Sequence, residues 1–322
     1  MWKITALVIS AIMMLLGAAQ AQDWPSRPVI LIVPYAAGSP ADLIGRLLAQ
    51  RMSGPLGQRV IVENVPGAGG TIGASRVATA PPDGYLIVQG GTGTHAQSQS
   101  LYKHPPYDAA NDFTPLALIA ESPLVLITRK DMPADDLRSF IAYAKTHALT
   151  YGSAGVGSAT HLSCALLADA AGFNATHVPY RGMGPVMQDL AASRIDFGCD
   201  FVLDVIPQLQ GQTINALAVL TKVRSEALPN VPTADEQGLT GFNAYNWNAM
   251  FLPKGTPDAI VSKLHNALMQ ALDAPEIRDE FLKLGAVIPA AERRTPQYLQ
   301  TFVKSEIAKW AAPIKASGAS AD

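Results

Sequence analysis

The stretch Val62-Glu63-Asn64-Val65-Pro66-Gly67-Ala68-Gly69-Gly70 decides how this chain is read. Val60-Ile61-Val62 is a short apolar run that predicts a buried strand, and four small residues follow at 67–70. A helix-like segment comes next at 71–80, and Pro82-Asp83-Gly84-Tyr85 closes the unit. Glycines at a strand-to-helix turn let backbone N–H groups point into one concavity, where an anion can accept from them.

The same grammar occurs twice more. Upstream, Val29–Val33 predicts a strand buried on both faces. Tyr35-Ala36-Ala37-Gly38-Ser39 follows it, and Ser39-Pro40-Ala41-Asp42 supplies an N-cap, a proline at the first helical position and an acid at N3. Leu43, Ile44, Leu47, Leu48 and Met52 form the apolar stripe of that helix, which Gly54-Pro55 is expected to end. Downstream, Tyr151-Gly152-Ser153-Ala154-Gly155-Val156-Gly157-Ser158 leads into a helix carrying His161, with Ser158 as the natural N-cap.

Strand-like runs at 86–88, 116–119, 124–128, 195–199 and 216–220 alternate with helical patterns, two of which open at Thr256-Pro257 and Thr295-Pro296. Such alternation predicts an α/β fold with parallel sheets covered by helices. Glu121-Ser122-Pro123 is the best interruption, splitting two strand-like runs and offering a place for a domain crossing.

The chain of 322 residues, 48% hydrophobic, is long enough for two ordinary domains. A net charge of −2 with only 16% charged residues argues against a nucleic-acid partner, which needs a basic surface. Met1-Trp2-Lys3, an apolar run at 4–16 and Ala19-Gln20-Ala21 have the pattern of a secretory signal peptide, so the segment 1–21 is expected to be removed after Ala21. The run is too short to span a bilayer, and the mature protein is expected outside the cytoplasm and not embedded in the membrane. There, Cys164 and Cys199 are a disulfide pair or two buried thiols.

The candidate ligand contacts are Tyr35, Gly38 and Ser39 in the first loop, and Thr94 and His95 in the hydroxyl-rich Gly90-Gly91-Thr92-Gly93-Thr94-His95. Ser153, Gly155 and Ser158 belong to the third loop, Arg181 follows Val178-Pro179-Tyr180, and Asp200 follows Cys199. Arg181 has the chemistry to pair with a ligand carboxylate, and Asp200 to receive an amine or hydroxyl. Asp42 fits helix capping better than ligand contact. Metal-binding spacings, a Walker A loop and a G-x-S-x-G elbow are all missing, so neither a cofactor, a metal nor catalysis is expected.

The ordered set of motifs resembles the Bug-type receptors of tripartite tricarboxylate transporters. Residues 35–42, 62–70, 82–85, 151–158 with His161, and 178–182 carry the resemblance, joined by Leu228-Pro229-Asn230-Val231-Pro232-Thr233, Glu236-Gln237-Gly238 and Pro253-Lys254-Gly255-Thr256-Pro257. The resemblance implies a type II periplasmic-binding-protein fold. One discontinuous lobe would comprise 22–122 plus 228–322 and the other 123–227, closing on a small carboxylate. It also implies a periplasmic, monomeric receptor that hands its ligand to membrane permease subunits. Gly38-Ser39 departs from the paired glycines of many relatives, so ligand identity does not carry over. A receptor signalling to a membrane sensor kinase, and a hydrolase built on Ser153 or Ser158 with a His and Asp200, are the alternatives.

Overall fold

Val29–Val33 is a strand, β1, with every side chain but Ile30 buried. The structure, a computed structural model, describes residues 24–321; the expected export segment at 1–21 lies outside them. Helix α1 (Pro40–Leu56) opens as its sequence dictates, the Ser39 hydroxyl accepting from the Asp42 amide. It buries Ile44, Leu48 and Met52 while leaving Leu43 exposed, and it runs past Gly54-Pro55 to a left-handed C-cap at Gly57. Strand β2 (Val60–Asn64) and the tight turn Ala68–Gly70 lead to α2 (Thr71–Ala78). Gly70 must be glycine, because its φ is +93° and a Cβ there would lie 2.8 Å from the Thr94 methyl.

Strand β3 (Leu86–Gly91) runs into a π-helical turn at Gly93–Gln97 and then α3 (Ser98–Leu101). The hydroxyl-rich segment is thus wound and largely buried rather than an open loop. The next strand differs most from expectation. β4 (Phe113–Arg129) is a single strand of 17 residues, unbroken at Glu121-Ser122-Pro123. Pro123 is tolerated because the ladder changes partner just beyond it: Pro123 lies opposite Tyr245, and Leu124 lies opposite Phe201.

The chain continues through α4 (Leu137–Ala144), β5 (Leu149–Ser153), α5 (Ala159–Ala171), β6 (Ala175–Pro179) and α6 (Met183–Ala191). Then come β7 (Phe197–Phe201), α7 (Val202–Gln210), β8 (Ile214–Val219) and β9 (Tyr245–Pro253). Helices α8 (Asp258–Leu272), α9 (Pro275–Lys283) and α10 (Pro296–Ser317) complete the order. The strands lie in the order β2-β1-β3-β9-β4-β7-β5-β6, with β8 also on β4.

The sheet is mixed rather than parallel. β1 pairs β2 and β3 in parallel, and β5 pairs β6 and β7 in parallel. β9 and β4 enter antiparallel between these groups. The crossover helices expected from the alternation flank the outer strands, but an irregular segment precedes β9, so nothing there forces a parallel return. One apolar core lies under α1 and α8, where Ile44, Leu48 and Met52 meet Leu264 and Leu268. The Cys164–Cys199 disulfide ties α5 to β7 with a Cα–Cα distance of 5.5 Å.

Candidate functional site

Several helix starts converge on one cavity of about 390 Å³. Tyr35, Ser39, Pro40 and Ala41 come from the entry to α1, and Gly69 from the turn before α2. Gly157 and Ala159 flank the start of α5, and Phe201, Leu203 and Asp204 form the start of α7. Each of these helix ends presents the positive end of its dipole, with part of its N–H groups taken up by caps: Ser39 Oγ accepts from the Asp42 amide, and His161 Nδ1 from the Gly157 amide. Gly93 and Gln97 of the π-helical turn, with Leu284 and Gly285 after α9, complete the flanks.

The back wall is made by β4 and β9 and follows from strand alternation. Ser122 lies opposite Asn246 in the antiparallel ladder, and Asn246 and Asn248 share one face of β9. All three line the cavity. Glu121 and Tyr245, on the other face, bound a larger groove of about 950 Å³. There Arg293 donates to both Glu121 carboxylate oxygens at 2.6 and 2.7 Å and to the Tyr298 hydroxyl at 2.8 Å. Trp247 and Trp310 both donate their indole N–H to Glu306, which also pairs with Lys309. Arg224, a further cation of the groove, is paired with Glu236.

The cavity itself is lined by no Lys, Arg or His among the described residues. Its donors are backbone amides, Ser39, Ser122, Tyr35 and the side-chain amides of Gln97, Asn246 and Asn248. Desolvation pushes the Tyr35 phenol up to about 12, a hydrogen bond with Thr94 opposing the rise, so it is a neutral donor.

The expected site residues fall into two groups. Tyr35 and Ser39 line the cavity, and Gly38 stands beside them with its N–H donated to Asp42 at 2.9 Å. Asp42 also accepts from Arg46 at 3.0 Å and from Asn64 at 2.8 Å. Burial would raise its carboxyl, but these hydrogen bonds outweigh burial and hold it below the usual range. Asp42 thereby fixes the loop that presents Ser39.

Thr94 and His95 lie one layer behind the wall, both fully buried. The Thr94 hydroxyl accepts from the Gly91 amide at 2.9 Å and meets His95 Nδ1 at 2.9 Å. The His95 ring stacks on Phe251 with centroids 3.9 Å apart, and burial pushes it down to about 3, so it is neutral. Ser153 is likewise buried, its hydroxyl 2.6 Å from His177 Nε2 and accepting from the Gly155 amide at 3.1 Å. Ser158 caps α5, accepting from the His161 amide at 3.2 Å and donating to the Gly155 carbonyl at 2.7 Å. His161 stacks on His177 at 3.8 Å; burial first, then the neighbouring imidazole, pushes it down to about 4.

Arg181 is exposed on the turn after β6 and lines neither cavity nor groove. Asp200 is fully buried just before α7; Oδ1 accepts from the Phe201 amide at 2.8 Å and Oδ2 has no partner. Burial raises its carboxyl to about 7.

Sequence reasoning missed Gln97, Ser122, Asp204, Asn246 and Asn248. Three had a legible signal: Ser122 is a polar residue inside a long apolar run, and Asn246 and Asn248 alternate with Tyr245 and Trp247. Only the pairing of β4 with β9 brings them to one face.

The sequence model for the tripartite tricarboxylate transporter family receptor matches residues 44–319. A protein from the TAR-I ttuE-ttuC' intergenic region of Agrobacterium vitis is 43% identical over 305 residues, covering 93% of this chain and 87% of its own. Among solved structures, MatC from Rhodopseudomonas palustris with bound malate is similar at 39% identity and TM-score 0.72, covering 90% of this chain and all of its own. The periplasmic binding protein BugD is similar at 38% identity and TM-score 0.71, covering 92% of this chain and 99% of its own.

Proposed function

This chain belongs to the tripartite tricarboxylate transporter receptor family, and from that premise we propose that its ligand is a small organic carboxylate held in the cavity at the strand crossing. The observation that carries this reading is a cavity ringed by the starts of α1, α2, α5 and α7 and lined by no cationic side chain. Backbone N–H groups at helix ends bind a carboxylate without a buried counter-charge. The malate in MatC supports the same ligand class.

The groove behind the crossing is larger, but three of its four cations are already committed. Arg293 is held by Glu121, Lys309 by Glu306 and Arg224 by Glu236. A ligand carboxylate there would have to break an existing ion pair or rest on Lys222 alone, which is exposed and makes no ion pair among the described residues.

The protein acts as a receptor rather than an enzyme: Ser153 meets His177, but that hydroxyl is buried behind the cavity. The lobes are 22–122 plus 228–322 and 123–227, a division supported by the change of β4 partner between Pro123 and Leu124. Closure of the lobes on the ligand, outside the cytoplasm, then presents a loaded receptor to the permease of its transporter. Tyr35 and Ser39 serve the anion directly, and Gly38 holds their loop through its bond to Asp42. Thr94, His95, Ser153, Gly155 and Ser158 hold the loops from behind.

A thermal-shift screen tests the reading. A carboxylate at about a hundred times its dissociation constant should add about 2.7 kcal/mol to stability. The matching uncharged amide should give no shift, since it cannot satisfy the converging N–H groups as a charged acceptor. Equal shifts from acid and amide, or a response to sugars alone, would contradict it.

A further inference from the structure

Among the described residues, one charged side chain lines the cavity, and it is an acid. Asp204 sits in the first turn of α7 and lines the same cavity as the entry to α1. Its carboxylate makes no ion pair and no side-chain hydrogen bond among the described residues, whereas Asp42, Asp83, Asp189, Asp196 and Asp273 are all paired with arginine. Four residues earlier, at the end of β7, Asp200 lies buried with Oδ2 unpartnered, and neither acid has a neutralising cation among the described residues.

A ligand carboxylate placed against α1 finds only donors. A second carboxylate at the far end would meet Asp204, with no Lys, Arg or His in the lining to separate the two charges. Like charges brought together in a desolvated site repel strongly. An ammonium or hydroxyl in the same place would instead donate to a carboxylate that has no other partner.

We propose that Asp204 is a specificity-determining residue: it selects carboxylates that carry a hydrogen-bond donor, an ammonium or a hydroxyl, at the end facing α7, and it disfavours the donor-free dicarboxylate of the same length. This rests on the carboxylate-receptor reading above and sharpens it from carboxylates in general to amino and hydroxy acids. The competing role for Asp204 is helix stabilisation alone, since an acid in a first turn complements the dipole.

Calorimetric titration at pH 7.5 separates the two roles. The probes are 4-aminobutyrate, 4-hydroxybutyrate and succinate, repeated with 5-aminopentanoate, 5-hydroxypentanoate and glutarate, against the wild type and Asp204→Asn. The wild type should bind the best donor-bearing acid about tenfold or more tighter than its donor-free partner. Asp204→Asn should lower that ratio by about tenfold, chiefly by weakening the donor-bearing acids and sparing or improving the donor-free ones. A circular-dichroism melt of the variant checks that the fold is kept.

If Asp204→Asn changes all affinities by one common factor, or none of them, Asp204 is a helix-end residue and the proposal falls. A wild type that prefers donor-free acids overturns it equally. Failure of every carboxylate to bind would instead defeat the receptor reading itself, and is distinguished by that total silence.

Discussion

At the scale of single residues, Asp200 is the most heavily constrained group near the cavity. Burial raises its carboxyl to about 7, so the folded protein prefers the protonated acid while the unfolded chain ionises near the ordinary value. The folded state therefore holds the extra proton between those two pH values. The corresponding stability is present below about pH 4 and is lost as pH rises through about 7. Asp200→Asn keeps the shape and removes the charge. In ligand-free protein its stability should match the wild type near pH 4 and exceed it by on the order of 2–4 kcal/mol at pH 8, read from urea unfolding at each pH. An equal difference at both pH values would mean the carboxyl is not held neutral. His95 and His161 titrate with the opposite sign, so the comparison is between variant and wild type at one pH rather than along one profile. Residue-scale reading of the sequence succeeded where chemistry is local. The Ser39 and Ser158 caps are fixed by residues three positions away. It gave no depth for His95, because nothing near it in sequence announces that Phe251 will stack on it.

Among the elements, β4 and β9 carry the site and were the least legible. β4 reads as two apolar runs broken by Glu121-Ser122-Pro123, yet it continues through them because β9 pairs with all three. Its polar break is the cavity wall on one face and the Glu121–Arg293 pair on the other. The parallel β1-α1-β2 and β5-α5-β6 units were legible because strand, turn and helix follow one another directly. The antiparallel entry of β9 was not, since its partners β3 and β4 lie more than a hundred residues earlier. The disulfide belongs to this scale too, because it pins α5, whose start forms part of the cavity, to β7, which leads into α7. Replacing both cysteines by alanine should lower stability by about 2–5 kcal/mol in urea unfolding, with ligand affinity reduced less than stability. An unchanged unfolding midpoint would show that packing alone holds α5 against β7.

Across the whole molecule, β4 and β9 join the two parallel groups of the sheet and α10 packs on α5 beside them, so a pivot about those strands would reshape both the cavity and the groove behind it. This architecture explains why the anion loops recur in different parts of the sequence: each sits at the carboxyl end of a strand facing the crossing. It also sets Arg224, Arg293 and Lys309 in the groove, each paired, and none of them on the cavity wall. The most direct measurement is a crystal structure of the mature protein grown with the carboxylate that gives the largest thermal shift. The account predicts ligand carboxylate oxygens within hydrogen-bond distance of amides at the starts of α1 and α5, with Ser122, Asn246 or Asn248 against the ligand's body. A carboxylate found in the groove on Arg293 or Lys309, with the cavity at the crossing holding only water, would contradict it.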